Sequence, residues 1–227
     1  MKKIVALTGQ AGAGKDTLAK LIIEHAPLTG YESDRWVKMS FASHLKDVVA
    51  LLFNMDRDML EGVTLEDRAK REQPDEFWSA KMGKPFTPRH ALQYIGTDLL
   101  RNQLHKNIWV DSLEKKIDST KANVIVTDVR FKNEINMLRN KNAMFVRMEF
   151  EKKPYYWDIV YKNNMFDSLT DQEKMKLREI NETVHPSETE WIGVDNPKYV
   201  FTHKNNIDLL GDDLLSSELW KWIISKE

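Results

Sequence analysis

A chain of 227 residues with 41% hydrophobic and 30% charged residues can build one sizeable core, and its net charge of -1 gives no bias toward nucleic acid. The absence of cysteine excludes a disulfide framework and thiolate-held zinc, and fits a reducing compartment. The apolar runs fall far short of the roughly 20 residues of a membrane span. The run behind Lys2 and Lys3 breaks at Gly9, too early for a secretory signal, so a cytoplasmic protein is expected.

The chain opens with Ile4-Val5-Ala6-Leu7, a continuously apolar, β-branched run suited to a strand buried on both faces. After a glycine-rich turn, Leu18, Leu21 and Ile22 recur at helical spacing, and the pattern stops near Pro27 and Gly30. Trp36 to Met39 reads as a second strand. From Ser43, the residues Leu45, Val48, Val49, Leu52 and Phe53 predict an amphipathic helix. Residues 54–86 mix charges with Gly62, Pro74, Gly83 and Pro85, which predicts an insertion of short helical pieces over the active face.

Thr87-Pro88 reads as an N-cap and first helical residue, opening a helix with Leu92, Ile95, Leu99 and Leu100 inward. A further helix carries Val110, Leu113 and Ile117. Val124-Ile125-Val126 is the next buried strand, ending at Thr127-Asp128, and a helix with Ile135 and Leu138 leads to a strand from Met144 to Phe150. Residues 151–197 are polar and aromatic without sustained periodicity, which suits either a lid segment or a surface excursion. Tyr199 to Thr202 is a last strand, followed by one helix with Leu215, Leu219 and Trp222 on one side. Strands alternating with helices imply an α/β fold with a doubly wound parallel sheet, here as one domain with an insertion and a lid segment.

Gly9-Gln10-Ala11-Gly12-Ala13-Gly14-Lys15-Asp16-Thr17 lies between the first strand and the first helix. Glycines there let Gly9, Ala11, Gly12, Ala13 and Gly14 turn backbone N–H groups toward one anion. The helix N-terminus adds partial positive charge, and Lys15 can reach the β and γ phosphates of a triphosphate. The usual pattern has Ser or Thr directly after the lysine, whereas Asp16 intervenes here before Thr17. The Gly-Lys-x-Thr spacing resembles that of nucleoside monophosphate kinases, and that likeness implies that Thr17 supplies the hydroxyl near the phosphates. Asp16 suits either Mg²⁺, through water, or the helix dipole.

Thr127-Asp128-Val129-Arg130 stands at the carboxyl end of a buried strand, the edge where open α/β sheets bind ligands. Asp128 can organise Mg²⁺ or its water and Arg130 can clamp a phosphate, or the two can form a structural pair. Glu134 reads as a solvated helix residue. Arg89, Gln93, Asp98 and Arg101 share a helical stretch, as a polar face toward substrate or as its solvated side; Lys46 and Asp47 carry the same two readings. Trp78 and Trp109 suit either base stacking or the core.

Several segments together resemble the bacteriophage deoxynucleoside monophosphate kinases. They are Gly-Lys-Asp-Thr at 14–17, Phe-Ala-x-x-Leu-Lys-Asp at 41–47, Leu-Gln-x-x-Gly-Thr-Asp at 92–98, Arg101, Trp109-Val110, Thr-Asp-Val-Arg at 127–130 and His-Pro-Ser-Glu at 185–188. The resemblance runs from Gly9 to about Asn206. It implies a P-loop kinase fold that takes ATP and Mg²⁺ and makes deoxynucleoside diphosphates, with the loop from Gly9 to Thr17 on ATP and Asp128 and Arg130 facing the reacting phosphates. By the same likeness Lys46, Arg89, Asp98, Arg101 and Trp109 become acceptor-site candidates, and the segment with Arg178, His185 and Glu188 a lid over ATP. Arg68 and Arg71, three apart on a possible helix, suit either the acceptor phosphate or pairing with Glu72 and Asp75 at the surface, the latter being the favoured reading. The expected partner is a small deoxynucleoside monophosphate, with no nucleic acid polymer and no membrane, and a homodimer left open. A P-loop kinase of another phosphorylated metabolite and a nucleotide-dependent switch stay as alternatives, although no Asn-Lys-x-Asp guanine-reading motif occurs.

Overall fold

The computed structural model describes residues 2–26, 35–166, 168–203 and 206–225. Pro27 and Gly30, where the sequence stops the first helix, lie outside them. The chain divides into two compact units, Met1–Ser40 with Lys116–Glu227 and Phe41–Lys115. In chain order, β1 (Ile4–Gly9), α1 (Lys15–His25) and β2 (Trp36–Met39) lead to α2 (Ser43–Phe53), α3 (Arg57–Glu61), α4 (Leu65–Glu72), α5 (Glu76–Met82) and α6 (Pro88–Gln93). A π-helical segment (Tyr94–Leu104) and α7 (Ile108–Ser119) come next. β3 (Asn123–Val126), α8 (Lys132–Asn140), β4 (Met144–Glu149), α9 (Trp157–Phe166), α10 (Asp171–Thr183), a 3₁₀ turn (Pro186–Glu188), β5 (Tyr199–Thr202), α11 (Ile207–Leu215) and α12 (Glu218–Ile224) complete the order.

The strands of the first unit form one parallel five-stranded sheet in the order β2-β3-β1-β4-β5. This is the α/β class and the parallel sheet read from the sequence. Every residue of β1 and of β3 is buried, as strands covered on both faces must be. On one face, Val5, Leu7, Ile125, Val146 and Met148 pack with Leu18 and Ile22 of α1, Leu210 and Leu214 of α11, and Leu219 and Ile223 of α12. Side chains alternate along a strand, so Thr8 and its cross-strand partner Arg147 point to the opposite face.

Three helical stretches depart from the sequence reading. The C-terminal helix is two helices, because the Ser217 hydroxyl accepts from the Trp220 N–H at 3.1 Å and starts a new one. Leu214 is buried in place of Leu215. Thr87 caps α6 as expected, accepting from His90 N–H at 3.1 Å, but the chain then runs as a π-helix from Tyr94. Hydrogen bonds from i to i+5 widen each turn and rotate later positions away from the α-helical stripe. Ile95 is therefore buried while Leu99 is 36% exposed. On α2, Val49 and Phe53 are buried, whereas Val48 and Leu52 are exposed.

Within the second unit, residues 54–86 hold the short helices α3, α4 and α5. Leu60 and Phe86 join Val49, Phe53, Ala91 and Ile95 in its core. Residues 151–197 hold α9 and α10, and Trp157, Val160, Ile180, Trp191 and Ile192 are buried. Among the described residues, no helix is long and apolar enough to cross a membrane.

Candidate phosphate-binding site

β1 delivers the chain to Gly9, paired with Met148 of β4. Gly9 has φ +123°, and a Cβ there would lie 1.9 Å from the Met148 carbonyl oxygen. Only glycine lets the backbone turn so close to the neighbouring strand. Gly14, at φ +94°, is the residue before α1, so the loop closes directly on a helix N-terminus. Inside the turn, Ala13 N–H donates to the Gln10 carbonyl at 3.2 Å. The Gln10 side-chain oxygen accepts from Phe150 N–H at 3.2 Å, fastening the loop to the end of β4. Phe150 and His203, with ring centroids 4.9 Å apart, stand beside Gly12 and Gly14.

Lys15 is buried, and its ammonium donates to the Gly9 and Gln10 carbonyls, each at 2.8 Å. Burial, and then the positive charge of Arg130, lower its pKa to about 8, while Glu188, Asp16 and Asp128 act in the opposite sense. The structure thus gathers Lys15, Asp16, Asp128 and Arg130, all candidates from the sequence, around one loop. Asp16 is exposed and 3.2 Å from Lys38 Nζ, and Thr17 lies in the first turn of α1.

Arg130 Nη1 donates to Glu188 Oε1 at 3.1 Å and to Ser187 Oγ at 3.3 Å. Ala11 N–H of the loop donates to the other Glu188 oxygen at 3.4 Å. His185 starts the turn that carries both residues, its Nδ1 accepting from Ser187 N–H at 3.2 Å. Arg178 lies exposed on α10.

Three residues have environments other than the sequence suggests. Glu134 is not a solvated helix residue: it is buried, and its carboxylate accepts from the N–H groups of Arg130 at 2.8 Å and Phe131 at 3.0 Å. It thereby holds the turn that presents Arg130. The usable signal was an acid in the first turn of a helix starting at a strand end, where Glu can reach back to orphan amides. Arg71 does not pair with Glu72 or Asp75 at the surface. Its Nε is buried without a hydrogen-bond partner, and its Nη1 donates to the Leu60 carbonyl at 3.4 Å. Glu72 instead binds Arg89, Asp75 caps α5, and Arg68 donates to the Gly62 carbonyl at 2.9 Å.

Sequence reasoning missed a buried network behind the loop. Asp195 accepts from the Thr8 hydroxyl at 2.6 Å and from Arg147 Nε and Nη2 at 2.9 and 2.5 Å. The Arg147 guanidinium lies 5.4 Å and 5.7 Å from the ring centroids of Trp157 and Trp191. No local pattern signals an ion pair between residues so far apart in the chain.

In the second unit, Lys46 is 3.0 Å from Glu61, which also receives Arg57 Nη1 at 2.8 Å. Burial alone would raise the Glu61 pKa, but hydrogen bonds from Arg57 and Lys46 and their charges hold it below the usual value. Trp109 is buried and its indole N–H donates to the Gly96 carbonyl at 2.9 Å. A Cβ on Gly96 would meet Leu45 at 2.7 Å, so α2 and the π-helical segment approach closely there. Trp78 donates to the Phe53 carbonyl at 2.8 Å and packs edge-on against that ring. Asp98 is exposed and Arg101 half-buried, both on the π-helical segment.

Comparison with known proteins brings this geometry to a family. The sequence model of the deoxynucleotide monophosphate kinases matches residues 62–158. A putative deoxynucleotide monophosphate kinase of Acanthamoeba polyphaga mimivirus is 30% identical over 160 residues, spanning 64% of this chain and 73% of that protein. The chain belongs to the deoxynucleotide monophosphate kinase family. The deoxynucleoside-5'-monophosphate kinase of Escherichia phage T5 is 28% identical over 187 residues, spanning 63% of this chain and 74% of that one. Among solved structures, a shikimate kinase from Acinetobacter baumannii in complex with shikimate aligns over 97% of this chain and 95% of that one. Its identity is 13% and its TM-score 0.40, too low to carry inference.

This kinase is accordingly a phosphotransferase acting on nucleotides, and the matched span contains Arg89, Asp98, Arg101, Trp109, Asp128 and Arg130. Its Arg130 turn depends on Glu134. Glu134→Ala leaves two half-buried amides without their acceptor, a loss of about 1 kcal/mol or more in all. The kinase variant should unfold at clearly lower denaturant than the parent, and Glu134→Gln, which keeps an acceptor oxygen, should lose less. Equal stability of parent and Ala variant in urea melts would contradict the capping role.

Proposed function

We propose that this kinase transfers the γ-phosphoryl group of ATP in line to a phosphate oxygen of a deoxynucleoside monophosphate. The bond between the γ phosphorus and the β-γ bridging oxygen breaks, a bond from the acceptor oxygen to the γ phosphorus forms, and ADP and a deoxynucleoside diphosphate leave. The observation that carries the reading is the closeness of two cations, Lys15 and Arg130, at a glycine loop on a helix N-terminus. Burial first, and then the charge of Arg130, bring Lys15 to about 8. A polyanion between them would relieve that repulsion.

In this reading the backbone N–H groups of Gly9, Ala11, Gly12, Ala13 and Gly14 bind the triphosphate. Lys15 follows the transferring group, and Arg130 offsets the charge of donor and acceptor phosphates. The acceptor is already an anion at neutral pH, so no strong base is required. Asp128 orders the acceptor or the metal's water. Lys46, Arg89, Asp98 and Arg101 bind the monophosphate, and Trp109, buried with its indole N–H on the Gly96 carbonyl, positions the segment that carries Asp98 and Arg101. Support on that side comes from Arg71, whose pKa is lowered by burial and then by the charge of Arg89, with Glu72 acting in the opposite sense, Arg68 lowering it further and Glu61 opposing. These crowded guanidinium groups suit a phosphate.

Among the described residues no group of three or more His, Asp or Glu could hold a metal by itself. The donors at the start of α1, the Asp16 carboxylate and Thr17 hydroxyl, fit Mg²⁺, which commonly takes one or two protein oxygens beside phosphate oxygens and waters. When bound, Mg²⁺ would offset phosphate charge. Lys38, 3.2 Å from Asp16, would then share or release that carboxylate. The reading places this work in the cytoplasm, that of the host for a phage-encoded enzyme.

ADP formation from ATP should appear with at least one of the four deoxynucleoside monophosphates and fall by about a thousandfold or more in Lys15→Ala. Full activity of that variant, or turnover only with some other phosphorylated metabolite, would overturn the reading. A second consequence concerns pH. Phosphate favours the charged form of Lys15, so binding takes up a proton wherever the free enzyme's Lys15 is neutral, above about 8. The ATP dissociation constant should be level below that pH and rise above it by at most about tenfold per pH unit. In Lys15→Arg, charged throughout, calorimetric titrations should show no such rise.

A further inference from the structure

Two of the donors that a triphosphate would use, Ala11 N–H and Arg130, are already engaged by one side chain. Glu188 lies on the short turn after α10, outside the loop, the strand ends and the acceptor candidates. One of its oxygens takes Arg130 Nη1 at 3.1 Å and the other takes Ala11 N–H, within the phosphate loop, at 3.4 Å. Its negative charge also reaches the Lys15 ammonium. The carboxylate therefore bridges one N–H of the loop and the arginine, with its charge felt at the lysine.

The turn is fastened on both sides. Arg130 also donates to Ser187 Oγ at 3.3 Å, and His185 Nδ1 binds Ser187 through both its N–H and its hydroxyl. Beyond the turn, Ile192 N–H donates to the Thr189 carbonyl at 3.2 Å, and the fully buried Asp195 joins Thr8 and Arg147. Thr8 immediately precedes Gly9. The carboxylate is thus held to the strand that launches the loop, not suspended from a free chain.

We propose that Glu188 is an internal anion that competes with the donor's phosphates for the loop and for Arg130. This rests on the phosphate-loop reading above. A carboxylate and a triphosphate cannot share Ala11 N–H, Arg130 and Lys15 without strong like-charge repulsion. Arrival of the donor therefore releases Glu188, and its release frees Arg130 for a phosphate. Loading of the first nucleotide and exposure of the arginine become one event. Without the donor, Arg130 stays neutralised and the acceptor meets a weaker cation.

Equilibrium titrations of the full-length protein with ATP, with inorganic tripolyphosphate and with adenosine test this, using the parent, Glu188→Gln and Glu188→Ala. Glutamine keeps the shape and loses the charge; alanine removes the group, and thermal melts confirm that both fold. Both variants should bind ATP and tripolyphosphate about tenfold more tightly than the parent. Adenosine, which has no phosphate, should bind all three alike. Unchanged or weaker tripolyphosphate binding in both variants would overturn the proposal, because Glu188 would then be a neutral bystander or a helper of the ligand. The phosphate-loop reading fails separately, if the parent binds ATP and Lys15→Ala binds it equally well.

Discussion

The Lys15 ammonium is buried and held by the Gly9 and Gln10 carbonyls, so backbone dipoles have replaced its water. A lysine in that position loses part of its preference for the charged form, and Arg130 nearby lowers it further. Nothing in a self-contained core calls for two such cations together. Their closeness fits a site prepared for phosphate, where dipoles fixed in advance need no reorganisation when charge moves. The surrounding features serve that cation. Gly9 permits the turn against Met148, Gly14 starts the helix, and Glu134 secures the turn from which Arg130 reaches in.

A second constraint lies one layer behind. Thr8 and Arg147 are cross-strand neighbours on β1 and β4, and Asp195 joins both from the segment after the 3₁₀ turn. Buried ion pairs contribute little net stability, since desolvation offsets much of their attraction. Their geometric demand is strict, because leaving either partner alone is expensive. In this kinase the pair ties Asp195 to the strand that leads into the glycine turn, and Trp157 and Trp191 flank the guanidinium. Loop, strand and the segment bearing Glu188 are one connected assembly within the first unit.

Local patterns revealed much of this and long-range ones did not. Ile4 to Leu7 and Val124 to Val126 were legible as buried strands because continuous β-branched runs have few other uses. The glycine turn between β1 and α1 was legible because glycine positions, the lysine and the flanking elements all agree. The place of Asp128 and Arg130 after a buried strand was legible too, and the fold puts both near Lys15. The inward position of Leu99 failed because a π-helix breaks the periodicity that the expectation assumed. Glu134 was misjudged because exposure is the common state of a helical glutamate, and no Ser or Thr cap marked its reach backward. Asp195 and Arg147 went unnoticed because their partnership exists only once distant segments fold together.

The most direct test is a titration of the ¹⁵N-labelled protein with ATP and magnesium, followed through its backbone amide signals. If the loop grips the donor, the amides of Gly12, Ala13, Gly14, Lys15 and Asp16 shift together and saturate at one nucleotide concentration. Loop amides that stay unmoved while ATP binds elsewhere would contradict a donor held by Lys15 and its neighbours.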